Sequence, residues 1–282
     1  MNKFREIFFL FKIHHSIKNI GIFLPLVAGH SIMSITFSEV TFHFINFTVI
    51  ASIVYLFNNI KDYPSDINNK KLKYSINLEN LRGYYLFGIT ILFIQLIILI
   101  LLAEEVIKIC ILYFFISIAY NYYFKQKKYL DIIIISIFHL LRIYYGAIAF
   151  EIELSLYFVL FCLAIFLMIS ANKRLTEVYK KYENRPYKIV DKENLEIIQL
   201  SFAVFAVLIF LLYSFDSSKN IFFINHYYLY INFFIIVLLI GNFIYSQKKK
   251  QQDIIEFIYK NKINGLLVLL FFISFFKNSV LL

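Results

Sequence analysis

Three side chains that carry oxygen atoms follow one another at helical spacing near residue 60. Asn58, Asp62 and Asp66 are each four residues apart, and four residues advance about 400° around a helix, so all three lie on one face. Mg²⁺ usually takes one or two carboxylates and completes its shell with water and substrate phosphate. The row therefore predicts a magnesium site that a substrate phosphate helps to complete; the alternative is a solvated helix end with acidic residues placed by chance. Pro64 lies inside the row; it breaks the hydrogen-bond ladder of the helix locally, and we expect the membrane span to end there.

Basic residues follow this row along the chain. Lys70, Lys71 and Lys73 come soon after it, and a diphosphate that is bound with a metal also needs basic contacts. We interpret these lysines as an anion clamp. The alternative is that they only set the orientation of the chain in a membrane.

Arg142 lies inside an apolar stretch, where a charged side chain is costly and faces the protein interior. The planar guanidinium group suits phosphate binding, and the alternative is a structural pairing with a buried acid or with carbonyl oxygens. Lys173 and Arg174 form a second basic pair. Arg174 and Glu177 also have the i, i+3 spacing of a simple helix ion pair.

The elements that position these residues must lie in a membrane. Of the 282 residues, 61% are apolar and 16% are charged, whereas a soluble domain is about half apolar and about a quarter charged. This composition excludes an ordinary soluble globule, a disordered chain and a disulfide scaffold. The net charge of +10 fits either nucleic-acid binding or basic cytoplasmic loops. The apolar composition favours the loops, so we expect no nucleic-acid partner.

Nine apolar runs are long enough to cross the hydrocarbon layer, which takes about 20 residues of helix. Strands of a membrane barrel would be shorter and would alternate in polarity. We therefore predict an all-α bundle of nine transmembrane helices that forms a single domain over residues 1–282. The predicted spans are 17–37, 40–60, 84–103, 106–124, 130–150, 154–171, 197–215, 227–246 and 263–282.

The distribution of positive charge predicts the orientation of these spans. The segments 1–16, 61–83, 125–129, 172–196 and 247–262 hold 23 of the 28 Lys and Arg residues, and cytoplasmic loops carry such an excess. We expect a multi-pass protein of the cell (inner) membrane with a cytoplasmic N-terminus, an outside C-terminus and a central cavity open to the cytoplasm. Because a carrier places its site near the midplane, and polar residues here collect on one face, we favour an enzyme over a transporter or flippase.

The nine-span plan and the segment from Asn58 to Asp66 resemble the UbiA superfamily of intramembrane prenyltransferases. The first motif of that family is Asn-Asp-x-x-Asp-x-x-x-Asp, and this chain has Asn59 where the family has its first Asp. The resemblance implies a transferase that uses Mg²⁺ and releases diphosphate. Asn59 removes one negative charge from the motif and bears on how many metal ions bind.

Further segments resemble one branch of that superfamily, the decaprenyl-phosphate phosphoribosyltransferases. Aromatic prenyltransferases of the superfamily usually carry a second, Asp-rich motif after the fourth span, and here that loop, 124–129, has no carboxylate. The segments that match the branch lie between about residues 12 and 180. They are Lys18–Asn19, Pro25–Leu26, Lys70–Lys73, Tyr120–Lys125 with Asp131, Leu141–Ala147 and Asn172–Glu177.

The branch resemblance implies transfer of 5-phosphoribose from phosphoribosyl diphosphate to a polyprenyl phosphate, a step of cell-envelope glycolipid biosynthesis. The alternative is transfer of a prenyl group from its diphosphate to an aromatic or other lipophilic acceptor. In both cases the isoprenoid tail is expected against helix faces that are open to membrane lipids. The implied catalytic residues and metal ligands are Asp62, Asp66 and Asn58. The residues expected to contact substrate are Lys18, Asn59, Lys70, Lys71, Lys73, Tyr120, Lys125, Asp131, Arg142, Lys173 and Arg174.

Overall fold

The computed structural model describes residues 10–28, 35–68, 81–181, 186–215, 226–250, 257 and 261–280, and within these ranges the chain is helical and has no strand. A 3₁₀-helix, Ile13–Phe23, comes first. Nine α-helices follow in the described ranges: α1 (Leu24–Ala28), α2 (Phe37–Asn68), α3 (Leu81–Leu102), α4 (Ile107–Ala119), α5 (Leu130–Ala149), α6 (Leu156–Tyr179), α7 (Lys192–Phe215), α8 (His226–Lys250) and α9 (Lys262–Val280). The predicted all-α fold is confirmed for these residues.

Six of the described helical stretches are long and apolar enough to cross a membrane. They coincide with the second to seventh predicted spans, and they make the chain a polytopic membrane protein. The six stretches are Phe37–Tyr63, Arg82–Leu102, Glu104–Phe124, Leu130–Ala149, Leu156–Tyr179 and Ile189–Tyr213.

The first, eighth and ninth predicted spans correspond to shorter apolar stretches among the described residues. Within the described residues these are Ser16–Ala28, Tyr230–Tyr245 and Lys262–Phe271, and the helices that contain the last two, α8 and α9, extend further. The first stretch is a 3₁₀-helix up to Phe23, and this tighter coil rises about 2.0 Å per residue. The total of nine crossings therefore stays a prediction.

The membrane stretch within α2 ends at Tyr63, directly before Pro64. The helix continues to Asn68. A proline removes only one hydrogen bond of the ladder, the bond to the carbonyl four residues earlier, and the bonds before and after it can still form. As a consequence, Asn58, Asp62 and Asp66 all belong to one continuous helix.

The described helices form two compact units. The first contains the chain up to Lys127 and the segment Leu141–Glu153. Helix α2 is its centre, because the 3₁₀-helix, α3 and α4 all pack against it. Leu10 and Phe11 pack on the apolar face of α2, which is formed by Ile53, Leu56, Ile60 and Tyr63.

The second unit contains Lys128–Leu140 and the chain from Leu154 onward. Within it α6 packs along α7, and α8 packs along α9. Small buried residues such as Ala164, Ala203 and Ala206 occur in its core, and small residues allow membrane helices to approach closely. Helix α5 contributes its first half to this unit and its second half to the first unit.

The fourth membrane stretch ends in a π-helical turn, Tyr120–Phe124. The backbone N–H of Lys125 donates to the carbonyl oxygen of Tyr120, five residues earlier and 2.9 Å away. Such turns are rare and often occur at functional sites. This turn directly precedes the predicted contact residue Lys125.

Candidate active site

The row of oxygen-bearing residues on α2 meets a lysine. Asp62 forms an ion pair with Lys125, and the two side chains are only 15% and 11% exposed. One turn earlier, the buried Oδ1 of Asn58 accepts no hydrogen bond from any residue that the structure describes. Asp66 lies on the same helix, and its side chain is outside the described part of the chain. The end of α2 thus presents a carboxylate and an unsatisfied amide oxygen on one helix face.

A second contact holds α2 to the π-helical turn. Lys61 donates a hydrogen bond to the backbone carbonyl of Asn121, and its Nζ lies 3.7 Å from the centre of the Tyr122 ring. An exposed cation–π contact of this kind is worth about 0.5–1 kcal/mol. Lys61 and Lys125 therefore fix the position of the turn against the end of α2.

Asn58 and Asp62 fit a magnesium ion that binds together with a phosphate ligand. A buried polar atom without a partner is unusual, and an ion or a water molecule is an ordinary explanation for it. Mg²⁺ prefers oxygen ligands and usually takes one or two carboxylates, with substrate phosphates and water as the rest. Among the described residues there is no group of three or more His, Cys, Asp or Glu side chains that could hold a metal. A magnesium ion held by Asn58 and Asp62 would therefore need phosphate or water oxygens to complete its shell.

Asn59, the next residue along α2, contacts the N-terminal segment. Its side chain is buried, and its Nδ2 donates to the carbonyl oxygen of Leu10 at 2.7 Å. This contact takes Asn59 away from the face that carries Asn58 and Asp62. Substrate contact by Asn59 stays a prediction.

Arg142 is buried in the first unit, where it is 3% exposed. Its Nε donates to Oδ1 of Asn19, and its Nη2 donates to the hydroxyl of Tyr113, both at 3.1 Å. The hydroxyl of Tyr55 on α2 lies 3.5 Å from Nη2. These neutral oxygens orient the guanidinium group and link α5 with the 3₁₀-helix, α2 and α4.

Gly146 sets how closely α5 approaches the 3₁₀-helix. A Cβ atom at this position would lie 1.8 Å from the carbonyl oxygen of Ile22, so only glycine permits this approach. Gly146 follows Arg142 by one helical turn, and Ile22 follows Asn19 by three residues. The same close packing therefore brings Asn19 within hydrogen-bond distance of Arg142.

Asp131 and Arg174 contact each other in the second unit. Arg174 forms an ion pair with Asp131 and another with Glu177, in which Nη1 and Oε2 are 2.6 Å apart. The side chains of Arg174 and Asp131 are 2% and 0% exposed. The helix ion pair between Arg174 and Glu177, which the sequence offered as an alternative, is present. Substrate contact by Asp131 and Arg174 stays a prediction, and their pairing accounts for their burial without a ligand.

Tyr187 completes this buried network. Its hydroxyl donates to Oδ1 of Asp131 at 2.7 Å and accepts from the backbone N–H of Tyr129 at 2.5 Å. Burial, together with the hydrogen bond to Asp131, raises the pKa of Tyr187 above its ordinary value, because both favour the neutral phenol. Tyr187 therefore stays a hydrogen-bond donor that ties the segment before α7 to the beginning of α5.

Three further predicted contact residues have their own positions. Lys18 is half-buried on the 3₁₀-helix, Tyr120 begins the π-helical turn, and Lys173 is exposed near the end of α6. The anion clamp stays a prediction, because its residues lie outside the described part of the chain; they are Lys70, Lys71 and Lys73.

The sequence did not single out the aromatic residues that orient the charged groups. Tyr55 precedes Asn58 by three residues, and this shared helix face is a signal that could have identified it. Tyr113 and Tyr187 carry no such signal, because their partners Arg142 and Asp131 are 29 and 56 residues away along the chain.

A cavity of about 410 Å³ lies within the second unit. None of the predicted site residues that the structure describes lines it, so the chemistry of the side chains, and not the size of a cavity, identifies the candidate site. The lining residues are Leu175, Tyr179, Glu193, Glu196, Ile197, Gln199, Leu200 and Ile244.

Comparison with known sequences gives one distant relative. No protein-family model matches the chain. The uncharacterized protein y4nM of Sinorhizobium fredii (strain NBRC 101917 / NGR234) is 24% identical over 183 residues, which are 62% of this chain and 34% of that protein. The chain thus spans about a third of the length of the curated relative that it matches.

Comparison with solved structures gives the fold. A structure of digeranylgeranylglyceryl phosphate synthase in membranes superposes with a TM-score of 0.68 at 15% identity, and the match covers 100% of both chains. A UbiA homologue from Archaeoglobus fulgidus, bound to DMAPP and Mg²⁺, superposes with a TM-score of 0.66 at 12% identity and covers 97% of this chain and 99% of that one. This chain therefore has the fold of these membrane proteins.

Proposed function

We propose that this chain is a UbiA-type, Mg²⁺-dependent membrane transferase that moves a prenyl group from a prenyl diphosphate to a lipophilic acceptor and releases diphosphate. The observation that carries the proposal is the pair at the end of α2, where Oδ1 of Asn58, which accepts no hydrogen bond from a described residue, precedes the carboxylate of Asp62 by one turn. The fold supports it, because a solved protein of this fold was captured with a prenyl diphosphate, DMAPP, and Mg²⁺.

A magnesium ion at this site would be held by Asp62, Asp66 and Asn58, and it would neutralise the negative charge that collects on the departing diphosphate. The chain provides cations of its own beside this site. Lys125 is paired with Asp62, so it lies where an oxygen of the diphosphate would approach the metal ligands. Charge-assisted hydrogen bonds from such a lysine favour the leaving group over the intact donor.

The reaction needs no group on the protein to become covalently modified. The bond between the first carbon of the donor and the bridging oxygen breaks, and its electron pair leaves with the diphosphate. The nucleophilic atom of the acceptor forms the new bond to that carbon, and the proton of the acceptor passes to solvent. Most of the rate enhancement would come from positioning and from electrostatic stabilisation of the diphosphate.

Phosphoribosyl transfer to a polyprenyl phosphate is the second candidate. The loop 124–129 favours it, because this loop is basic and has no carboxylate, and both substrates of that reaction carry phosphate. The segments that resemble the phosphoribosyltransferase branch, with Arg142 and Gly146 among them, favour it as well. Here the lipid phosphate is already an anion, so the attacking oxygen brings no proton.

Membranes that contain the protein distinguish the two reactions. They are incubated with Mg²⁺ and either a labelled prenyl diphosphate or labelled phosphoribosyl diphosphate, and the label in the lipid extract is measured. Label that enters lipid from the prenyl donor supports the proposal, and label from the phosphoribosyl donor only replaces it with the second candidate. Asp62→Ala should abolish transfer, whereas Glu104→Ala, which removes an exposed carboxylate from another part of the chain, should not. Transfer from neither donor would contradict the proposal and leave a transporter or flippase as the alternative.

A further inference from the structure

The described start of the chain, Leu10 and Phe11, packs on α2 through a polar contact and through both apolar side chains. Leu10 and Phe11 are buried against the apolar face of α2. The amide of Asn59 donates to the carbonyl oxygen of Leu10 at 2.7 Å. A backbone carbonyl can only accept a hydrogen bond, so residue 59 must be a donor to make this contact. An ionised aspartate at this position would bring two acceptors together in a buried site.

The residue after this docked pair is a lysine with unusual backbone geometry. Lys12 has φ 47° and ψ 43°, in the left-handed region that residues other than glycine seldom adopt. Such geometry persists only where neighbouring contacts hold it in place, and it is frequent at ligand sites. Here the fixed position of Leu10 and Phe11 directly precedes the turn at Lys12.

This turn directs Lys12 toward α2. Its Nζ lies 5.6 Å from the centre of the Tyr55 ring. Tyr55, Asn58 and Asp62 are spaced i, i+3 and i+7, so they share one face of α2. The docked N-terminal segment therefore brings a positive charge to the same helix face that carries the candidate metal ligands.

We propose that Asn59 is a positioning residue and that the group it positions, Lys12, binds the diphosphate of the donor. The inference rests on the proposed function, because it takes a diphosphate as the ligand at the end of α2. It also gives a physical reason for Asn59 in place of the aspartate of the motif that this segment resembles. Where that motif has a carboxylate, this chain has an amide that binds the Leu10 carbonyl. This hydrogen bond holds Lys12, a cation, beside α2.

Two neighbouring substitutions of the same kind test the role of Asn59. Asn58→Asp and Asn59→Asp each replace an amide with a carboxylate, and Mn²⁺ binding to the purified, detergent-solubilised protein is measured without diphosphate. Asn58→Asp should tighten Mn²⁺ binding about tenfold, because it adds a charged ligand beside Asp62. Asn59→Asp should leave Mn²⁺ binding within about twofold of the unaltered protein and should lower the melting temperature by at least about 3 °C. It should also raise the diphosphate concentration for half-maximal heat protection with Mg²⁺ about tenfold, because Lys12 is no longer held beside α2. An Asn59→Asp protein that binds Mn²⁺ as tightly as Asn58→Asp does would overturn the positioning role.

Lys12 is tested separately, so that the inference does not depend on how well the Asn59 variant folds. The probe is inorganic diphosphate with Mg²⁺, and the readout is the diphosphate concentration that gives half of the maximal protection against heat. Lys12→Gln should raise this concentration about tenfold, since one charged contact is lost, and Lys12→Arg should restore it to within about threefold. Lys108→Gln removes an exposed lysine of α4 and is the matched control, which should behave like the unaltered protein.

The outcomes separate this inference from the proposed function. If diphosphate protects the unaltered protein and Lys12→Gln behaves like Lys108→Gln, the role of Lys12 is refuted and the proposed function stands. If diphosphate with Mg²⁺ does not protect the unaltered protein at all, the proposed function is contradicted, and the Lys12 inference falls with it.

Discussion

Alanine at position 146 should force the 3₁₀-helix away from α5. The added Cβ atom would lie 1.8 Å from the carbonyl oxygen of Ile22 and 2.7 Å from its carbonyl carbon. Real Cβ contacts are essentially never shorter than 3.0 Å, so the backbone at Ile22 must move by at least 1.2 Å. The obstacle is backbone, which cannot rotate away as the end of a flexible side chain can.

The cost follows from two effects and one compensation. Overpacking of this kind costs about 1–3 kcal/mol. The displacement also strains the hydrogen bond between Asn19 and Arg142, and a bond to a charged group contributes about 1.5–3 kcal/mol. Alanine returns up to about 1 kcal/mol through its higher helix propensity. We expect Gly146→Ala to lower the free energy of unfolding by about 2–4 kcal/mol, which corresponds to a melting temperature about 4–16 °C lower.

Two other glycines provide a graded control in the same protein. A Cβ at Gly241 of α8 would meet nothing within 4 Å, and one at Gly88 of α3 would meet only side-chain atoms, with Leu56 Cδ2 at 2.7 Å. Gly241→Ala should leave the melting temperature unchanged or raise it slightly, and Gly88→Ala should lie between the other two. The three variants are compared by thermal unfolding in one detergent at one scan rate, because membrane proteins often unfold irreversibly. A Gly146→Ala protein that melts within about 1 °C of Gly241→Ala would refute the close approach of α5 to the 3₁₀-helix.

Three further predictions concern the charged groups. Arg174→Met should lower the free energy of unfolding by about 3–5 kcal/mol, because it leaves Asp131 and Glu177 buried without their cation. Adding Asp131→Asn should recover part of that loss, and equal melting temperatures of the single and double variants would argue against the ion pair. Tyr187→Phe should cost about 1–3 kcal/mol in a denaturation experiment, since the buried Asp131 loses a donor; no change would mean that this hydrogen bond is not made. Asp62→Asn should abolish the heat protection that diphosphate gives with Mg²⁺, and EDTA should do the same to the unaltered protein; protection that persists in both experiments would exclude a metal at the end of α2.

The sequence was sufficient for the membrane class and for most of the helices. Long apolar runs identify membrane helices well, because a segment that crosses the hydrocarbon layer must form a continuous helix of about 20 residues. The weak point was the first span, where the structure has a 3₁₀-helix up to Phe23. Apolar periodicity does not distinguish a 3₁₀-helix from an α-helix over so short a stretch. The helix continues past Pro64 to Asn68, since the cost of one lost hydrogen bond depends on the bonds around it.

The sequence also identified charged residues that prove to be buried, but not the residues that they contact. An arginine within an apolar run is expected to face the protein interior, and Arg142 is buried in the structure. Its partner Asn19 lies 123 residues away along the chain, and no local pattern connects the two. The same holds for Asp131 and Arg174, whose pairing depends on how the beginning of α5 packs beside the end of α6. In the sequence, Asn59 indicated only that the motif has one negative charge fewer. Its hydrogen bond to Leu10 in the structure gives it a structural role.

The π-helical turn at Tyr120–Phe124 controls the direction in which the following side chain leaves the helix. Its closing hydrogen bond spans five residues instead of the four of an α-helix, and one residue corresponds to a rotation of about 100° around the helix axis. Without that extra residue, Lys125 would leave the helix about 100° away from the side on which it pairs with Asp62. The length of this one turn, more than the number of lysines in the loop, therefore determines that Lys125 is the cation that faces Asp62.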